Sequence, residues 1–145
     1  MKFTLATILA AAASVSAQNA LRVDSLSVKT LTESQTARID FTVVDLREGQ
    51  NGATTTCSTA WTPPNETIGP FACADNGFSF AFPTGIDDIE AFALSVTHLG
   101  WTGTAALNAH AGTAVYGCFD SDQAGVTTDC HLLDGAHVYL QDVQN

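Results

Sequence analysis

The stretch Asp75-Asn76-Gly77-Phe78-Ser79-Phe80-Ala81-Phe82-Pro83-Thr84-Gly85 decides the fold class. Phenylalanine takes every second position from 78 to 82, small residues lie between, and turn residues close both ends. Successive side chains of a strand point to opposite faces, so this period of two reads as a half-buried strand with an aromatic face.

The same pattern recurs outward in both directions. Ile39, Phe41 and Val43 share one face, with Arg38, Asp40 and Thr42 on the other. The phase then slips, because Val44 and Leu46 are apolar and Asp45 is not, and a β-bulge is expected near Val43-Val44. Val23, Leu26 and Val28 slip in a similar way. Phe92, Leu94 and Val96 alternate with small residues, and Val138 and Leu140 close the series. Asp87 offers a cap for a short helix within Ile86–Leu94, but the alternation that follows favours a strand. Turn signals at Glu48–Gly52, Pro63-Pro64-Asn65 and Ala124-Gly125 separate the runs. Thr, Ser, Ala and Gly are abundant while Lys and Glu are scarce, a composition that suits sheets better than exposed helices. The expected fold is all-β: a compact antiparallel β-barrel or sandwich.

Residues 1–17 read as a secretory signal peptide. Met1-Lys2 is a short positive start, Phe3 to Ala13 carries no charge, and Val15-Ser16-Ala17 places small residues at a cleavage site. The apolar run is shorter than the ~20 residues that span a bilayer, and polar Gln18-Asn19 follows it. Residues 18–145 are then expected to form a single secreted β domain, extracellular and starting at Gln18. That domain retains Arg22, Lys29, Arg38 and Arg47 against all fifteen acidic residues, a net charge of −11. Such a surface repels phosphate backbones and anionic lipid, so neither nucleic acid nor membrane is an expected partner.

The cysteines are Cys57, Cys73, Cys118 and Cys130. An even count in a secreted chain reads as disulfides, and three connectivities exist. Pairing Cys57 with Cys73 and Cys118 with Cys130 is favoured because each pair flanks one turn-rich stretch. Zinc is disfavoured because no C-x-x-C spacing occurs.

Candidate sites divide into weak chemistry and better recognition. Asn65-Glu66-Thr67 is the one N-glycosylation sequon, so Asn65 is a glycosylation candidate. Asp120-Ser121-Asp122-Gln123-Ala124-Gly125 opens like a calcium loop, but Ala124 and His131 stand where further ligands belong, so it reads as an acidic turn. Gly77-Phe78-Ser79-Phe80-Ala81 fails the nucleophile-elbow pattern at its last position and lies in a strand. Asp87, Asp88 and Glu90 are too close in sequence to face one another across a cleft. His98, His110, His131 and His137 have no metal-ligand spacing, and His98 continues the Phe92-Leu94-Val96 face as a core-edge residue. No catalytic residue, cofactor or metal site is expected. Trp61, before a Pro-Pro turn, and Trp101, between Gly100 and Gly103, are the recognition candidates; each could instead be a lid on the core.

Together these features form a familiar order. The strand Ala37–Val43 is followed by Cys57, Trp61 and Cys73, the Phe-rich strand, the pair Cys118 and Cys130, and a last strand Gly135–Tyr139. The chain resembles the Alternaria major-allergen family of secreted fungal proteins, which includes elicitors of plant defence. The resemblance covers nearly all of residues 18–145, and the four cysteines are its most specific part. It implies a compact β-barrel with two local disulfides and no catalytic machinery. It further implies an effector or elicitor that binds a host apoplastic or cell-surface protein, with a small aromatic, flavonoid-like ligand as the alternative. The allergen's N-terminal cysteine, which links two chains, has no counterpart here, so no covalent dimer is expected.

Overall fold

A computed structural model describes residues 20–47, 49–63, 67–112 and 115–142; the signal-peptide reading and Asn65 lie outside the described residues. The fold is a nearly closed antiparallel β-barrel with no helix among the described residues. Its strands are β1 (Leu21–Leu31), β2 (Thr36–Asp45), β3 (Thr54–Trp61), β4 (Phe71–Ala72), β5 (Phe78–Ala81), β6 (Ala91–His98), β7 (Trp101–Asn108), β8 (Tyr116–Asp120), β9 (Val126–Leu132) and β10 (Val138–Asp142). They pair in the order β3-β2-β1-β10-β7-β6-β5-β4, and the β8–β9 hairpin joins through β9 to β1.

Strand β1 has two partners on one side. Its first half pairs with β10 (Leu21 opposite Leu140) and its second half with β9 (Val28 opposite Cys130). The slip in phase at Val23, Leu26 and Val28 falls at that change: the register against β2 shifts between Asp24 and Ser27, and Ser25 takes a φ of 54°. The extra residue keeps both Val23 and Leu26 pointing inward. The bulge expected near Val43-Val44 is absent. Pairing runs unbroken from Ala37 opposite Trp61 to Val44 opposite Thr54, and the alternation continues with Asp45 fully buried and Leu46 exposed. Polarity misleads there because Asp45 points inward into an ion cluster described below.

Aromatic side chains fill the barrel. Phe78, Phe80 and Phe82 are essentially inaccessible, as the opening stretch requires. Phe41 meets Phe80 edge-on at 5.1 Å, Phe82 meets Phe92 at 5.9 Å, and Phe92 meets Tyr116 at 6.1 Å. Burying each such ring is worth about 1.5–3 kcal/mol. The segment Ile86–Glu90 is irregular and leads directly into β6.

The two disulfides are Cys57–Cys73 and Cys118–Cys130. The first closes the seam that the sheet order leaves between β3 and β4. Beside it, Ala74 N–H donates to the Thr56 carbonyl at 2.9 Å, and Asp75 N–H donates to Thr55 Oγ1 at 2.8 Å. The second joins residues directly opposite on β8 and β9. Both bridges suit an oxidising, extracellular compartment.

Candidate functional site

The barrel has two ends of different chemistry. At one end lie the close of β2, the β6–β7 hairpin, the turn before β5 and the close of β10. Here Asp45 is buried and its carboxylate is surrounded by donors. Arg47 donates from Nε to Oδ1 at 3.1 Å and from Nη2 to Oδ2 at 2.7 Å, and its backbone N–H reaches Oδ1 at 2.9 Å. His98 Nδ1, 2.6 Å from Oδ2, donates as well. Arg47 Nη2 also donates to the His98 carbonyl at 2.9 Å, so one guanidinium ties β2 to the hairpin. Burial alone would raise the Asp45 carboxyl; the hydrogen bonds from Arg47 and His98 outweigh it and hold the group below its ordinary value.

The His98 ring stacks on Phe78 at 3.6 Å, and its Nε2 faces Gly77. An Asp–His pair of this kind can orient an imidazole. Stacking and the bond to Asp45 make His98 a clamp between β2, β5 and β6. Trp101, opposite His98 in the hairpin, lies along β7 over Gly103. Any side chain at 103 would collide with its ring and with Leu140, which is why glycine stands there. The Arg47 guanidinium covers the indole from 5.8 Å.

The hairpin tip consists of two residues, Leu99 and Gly100, with φ of 50° and 78°. Both central positions are left-handed, as in a type I′ turn, where Asn-Gly is the usual pair. A leucine in that conformation costs about 1–2 kcal/mol. Leu99 is 63% exposed, so burial does not offset that cost.

At the opposite end, Trp61 is only 6% exposed and packs on Phe82 at 5.9 Å. It is a lid on the core, which removes it as an exposed anchor. Trp101 is also a lid, though a half-buried one. Carboxylates dominate the loops here: Glu33, Asp87, Asp88, Asp120 and Asp122 are exposed. Asp88 Oδ1 accepts the Glu90 N–H at 2.8 Å, an ordinary turn. The Asp120–Gly125 segment is likewise closed by its own bonds, Gln123 N–H to Ser121 Oγ and Val126 N–H to the Gln123 carbonyl. Ser79 is a strand residue paired with Thr97. Burial pushes the Tyr116 hydroxyl well above its ordinary range, helped by Asp88, Asp129 and Glu90, and it donates to the Ile89 carbonyl at 2.7 Å.

Among the described residues every Lys and Arg has a carboxylate partner: Arg22 with Asp24, Lys29 with Asp129, Arg38 with Asp40, and Arg47 with Asp45. Each histidine also has one: His98 with Asp45, His110 with Glu90, His131 with Asp129 and His137 with Asp24. Asp24, Asp45 and Asp129 each serve one basic residue and one histidine, and no group of three metal-ligating residues forms among the described residues. The arginine pairs had a readable signal. Arg22-x-Asp24, Arg38-x-Asp40 and Asp45-x-Arg47 are two apart, and on a strand that spacing shares a face.

Two of the surface grooves among the described residues are lined in part by histidine. One, of about 460 Å³, opens where β9 and β10 diverge from β1, between Asp24, Ser25, His131 and His137. The other, of about 330 Å³, runs past Glu90, His110, Tyr116, Phe119 and Leu133, with Phe119 49% exposed. No family profile, no curated protein and no solved structure matches the chain. Fold and site define a disulfide-stapled β-barrel with a buried ion cluster at one end and more exposed carboxylates at the other.

Proposed function

We propose that this chain is a secreted fungal effector or elicitor that acts by binding a host plant protein and not by turnover. One observation carries the reading. The four Lys and Arg among the described residues are all engaged with the chain's own carboxylates, so the charge offered outward is acidic, while Leu99 is held exposed at one end. Steering by charge and anchoring by a few preorganised apolar groups is how specific protein partners are recognised. The resemblance to the Alternaria allergen family supports the host side of the reading, and the disulfides fit the apoplast. The test is infiltration of pure protein from residue 18 onward into leaves, alongside binding to apoplastic fluid. A response that saturates with partner occupancy supports recognition. A full response to trace, sub-stoichiometric protein overturns it.

A second reading, binding of a small aromatic ligand, is favoured by the groove at Tyr116 and Phe119. The inward positions of the barrel already hold phenylalanine rings, so such a ligand would lie in this surface groove. Titration with a flavonoid should shift the NMR signals of Phe119 and Leu133; unchanged signals would dismiss this reading.

A further inference from the structure

We infer that the Leu99-Gly100 hairpin tip is the point at which the partner docks, and that the partner offers an apolar socket rimmed by Lys or Arg. The inference rests on the recognition reading above and gives it a place and a chemistry.

Backbone strain is the first ground. Four non-glycine residues among those described have positive φ: Ser25, Gln35, Asn51 and Leu99. Three are polar and sit in a bulge or turns. Leu99 alone is large and apolar, in a turn whose geometry asks for Asn or Gly. Strain that persists without local compensation marks functional positions. Leu99 is also the most exposed of the large apolar residues described, ahead of Ile68 at 51%.

Rigidity is the second ground. Arg47 holds the His98 carbonyl at the root of the hairpin, Asp45 and Phe78 fix the His98 ring, and Trp101 is wedged between Arg47 and Gly103. An anchor presented on such a base loses little conformational entropy on binding. Leu46, also exposed, precedes Arg47 on the same end.

Charge chooses the occupant. Arg47 is neutralised by Asp45, and the exposed Asp75 and Asp142 leave this end acidic. A second copy of the chain would bring the same carboxylates face to face, which is costly. A basic partner meets them with opposite charge.

The experiment uses the chain from residue 18 onward, wild type and Leu99→Asn. The probe is the fraction of leaf apoplastic fluid retained on a cation exchanger, with leaf response measured in parallel. Asparagine suits the left-handed turn, so the variant should melt a few degrees higher than wild type. Its complex should dissociate about tenfold faster or more, the scale of a lost anchor, and the leaf response should fall with it. If the variant binds and acts like wild type, docking lies elsewhere and the inference fails while the recognition reading stands. If wild type neither binds the probe nor acts on leaves, both fail. If the substitution instead changes the sedimentation of the pure protein, the occupant is a second copy and the basic-partner inference is overturned.

Discussion

The two ends of the barrel are each closed by a tryptophan, and they are closed by different physics. At the acidic end, Trp61 sits on Phe82 among apolar rings, and area removed from water holds it there. At the other end, Trp101 lies over Gly103, and Arg47 of the buried ion cluster covers its ring from 5.8 Å. The first lid follows from hydrophobic burial and tolerates approximate fit. The second depends on Asp45, Arg47, His98 and Gly103 together, so it is stiffer and easier to break. A stiff end suits presentation of an anchor; an apolar lid surrounded by carboxylates suits solubility and long-range steering.

The comparison breaks most sharply at Asp45. Asp45→Ala leaves Arg47 and His98 without the carboxylate between them, and removing one partner of a buried pair costs about 3–5 kcal/mol. Urea unfolding would read this directly. The lids come next. Trp61→Ala should cost about 3–5 kcal/mol, the range for a buried large aromatic. Trp101→Ala should cost clearly less, because its ring is only partly buried and the cation–π contact adds only about 0.5–1 kcal/mol at such a site. Equal costs would erase the distinction between the two ends.

Acid should weaken the ion-cluster end. The folded Asp45 carboxyl lies below its ordinary value of 3.8, so folding is favoured by its ionised form. Its stabilisation is therefore fully present above about pH 4–5 and is lost as pH falls through the lower folded value. Asp45→Asn should remove this part of the acid limb. Melting curves for the two proteins should converge as pH falls below 4; parallel curves would assign the acid sensitivity to other carboxylates.

What was legible in the sequence follows the same division. Phe78, Phe80 and Phe82 announce their strand because period two and ring burial are local facts. The cysteines pair across short loops, again locally. Asp45 misled because its partner His98 lies 53 residues away, and a buried acid with a distant partner looks like an exposed one. The double pairing of β1 with β9 and β10 is a long-range outcome with no local mark beyond the slip at Ser25. Whether each tryptophan is a lid or an anchor depends on what packs against it: Phe82 in one case, Gly103 and Arg47 in the other. Leu99-Gly100 was visible as residues, but its strain appears only when the hairpin register puts both in the turn.

The smallest effect expected is the most discriminating between the ends. Asp87 and Asp122 are exposed at the acidic end, away from the hairpin tip. Asp88 is spared because its carboxylate closes a turn on Glu90. Asp87→Lys combined with Asp122→Lys should leave stability within about 0.5 kcal/mol, as for most surface changes. It makes the net charge of −11 on residues 18–145 less negative by four. If these carboxylates steer a basic partner without touching it, the double variant should associate several-fold more slowly at low salt and dissociate at the wild-type rate. Raising the salt to ~0.5 M shortens the screening length below about 5 Å, and the two association rates should then meet. Leu99→Asn should do the opposite, changing dissociation and leaving the salt dependence of association intact. Stopped-flow or surface-resonance kinetics at two salt concentrations separates the cases. Faster dissociation of the Asp87/Asp122 variant would place the contact surface on the acidic end, and the division of labour between the two lids would have to be reversed.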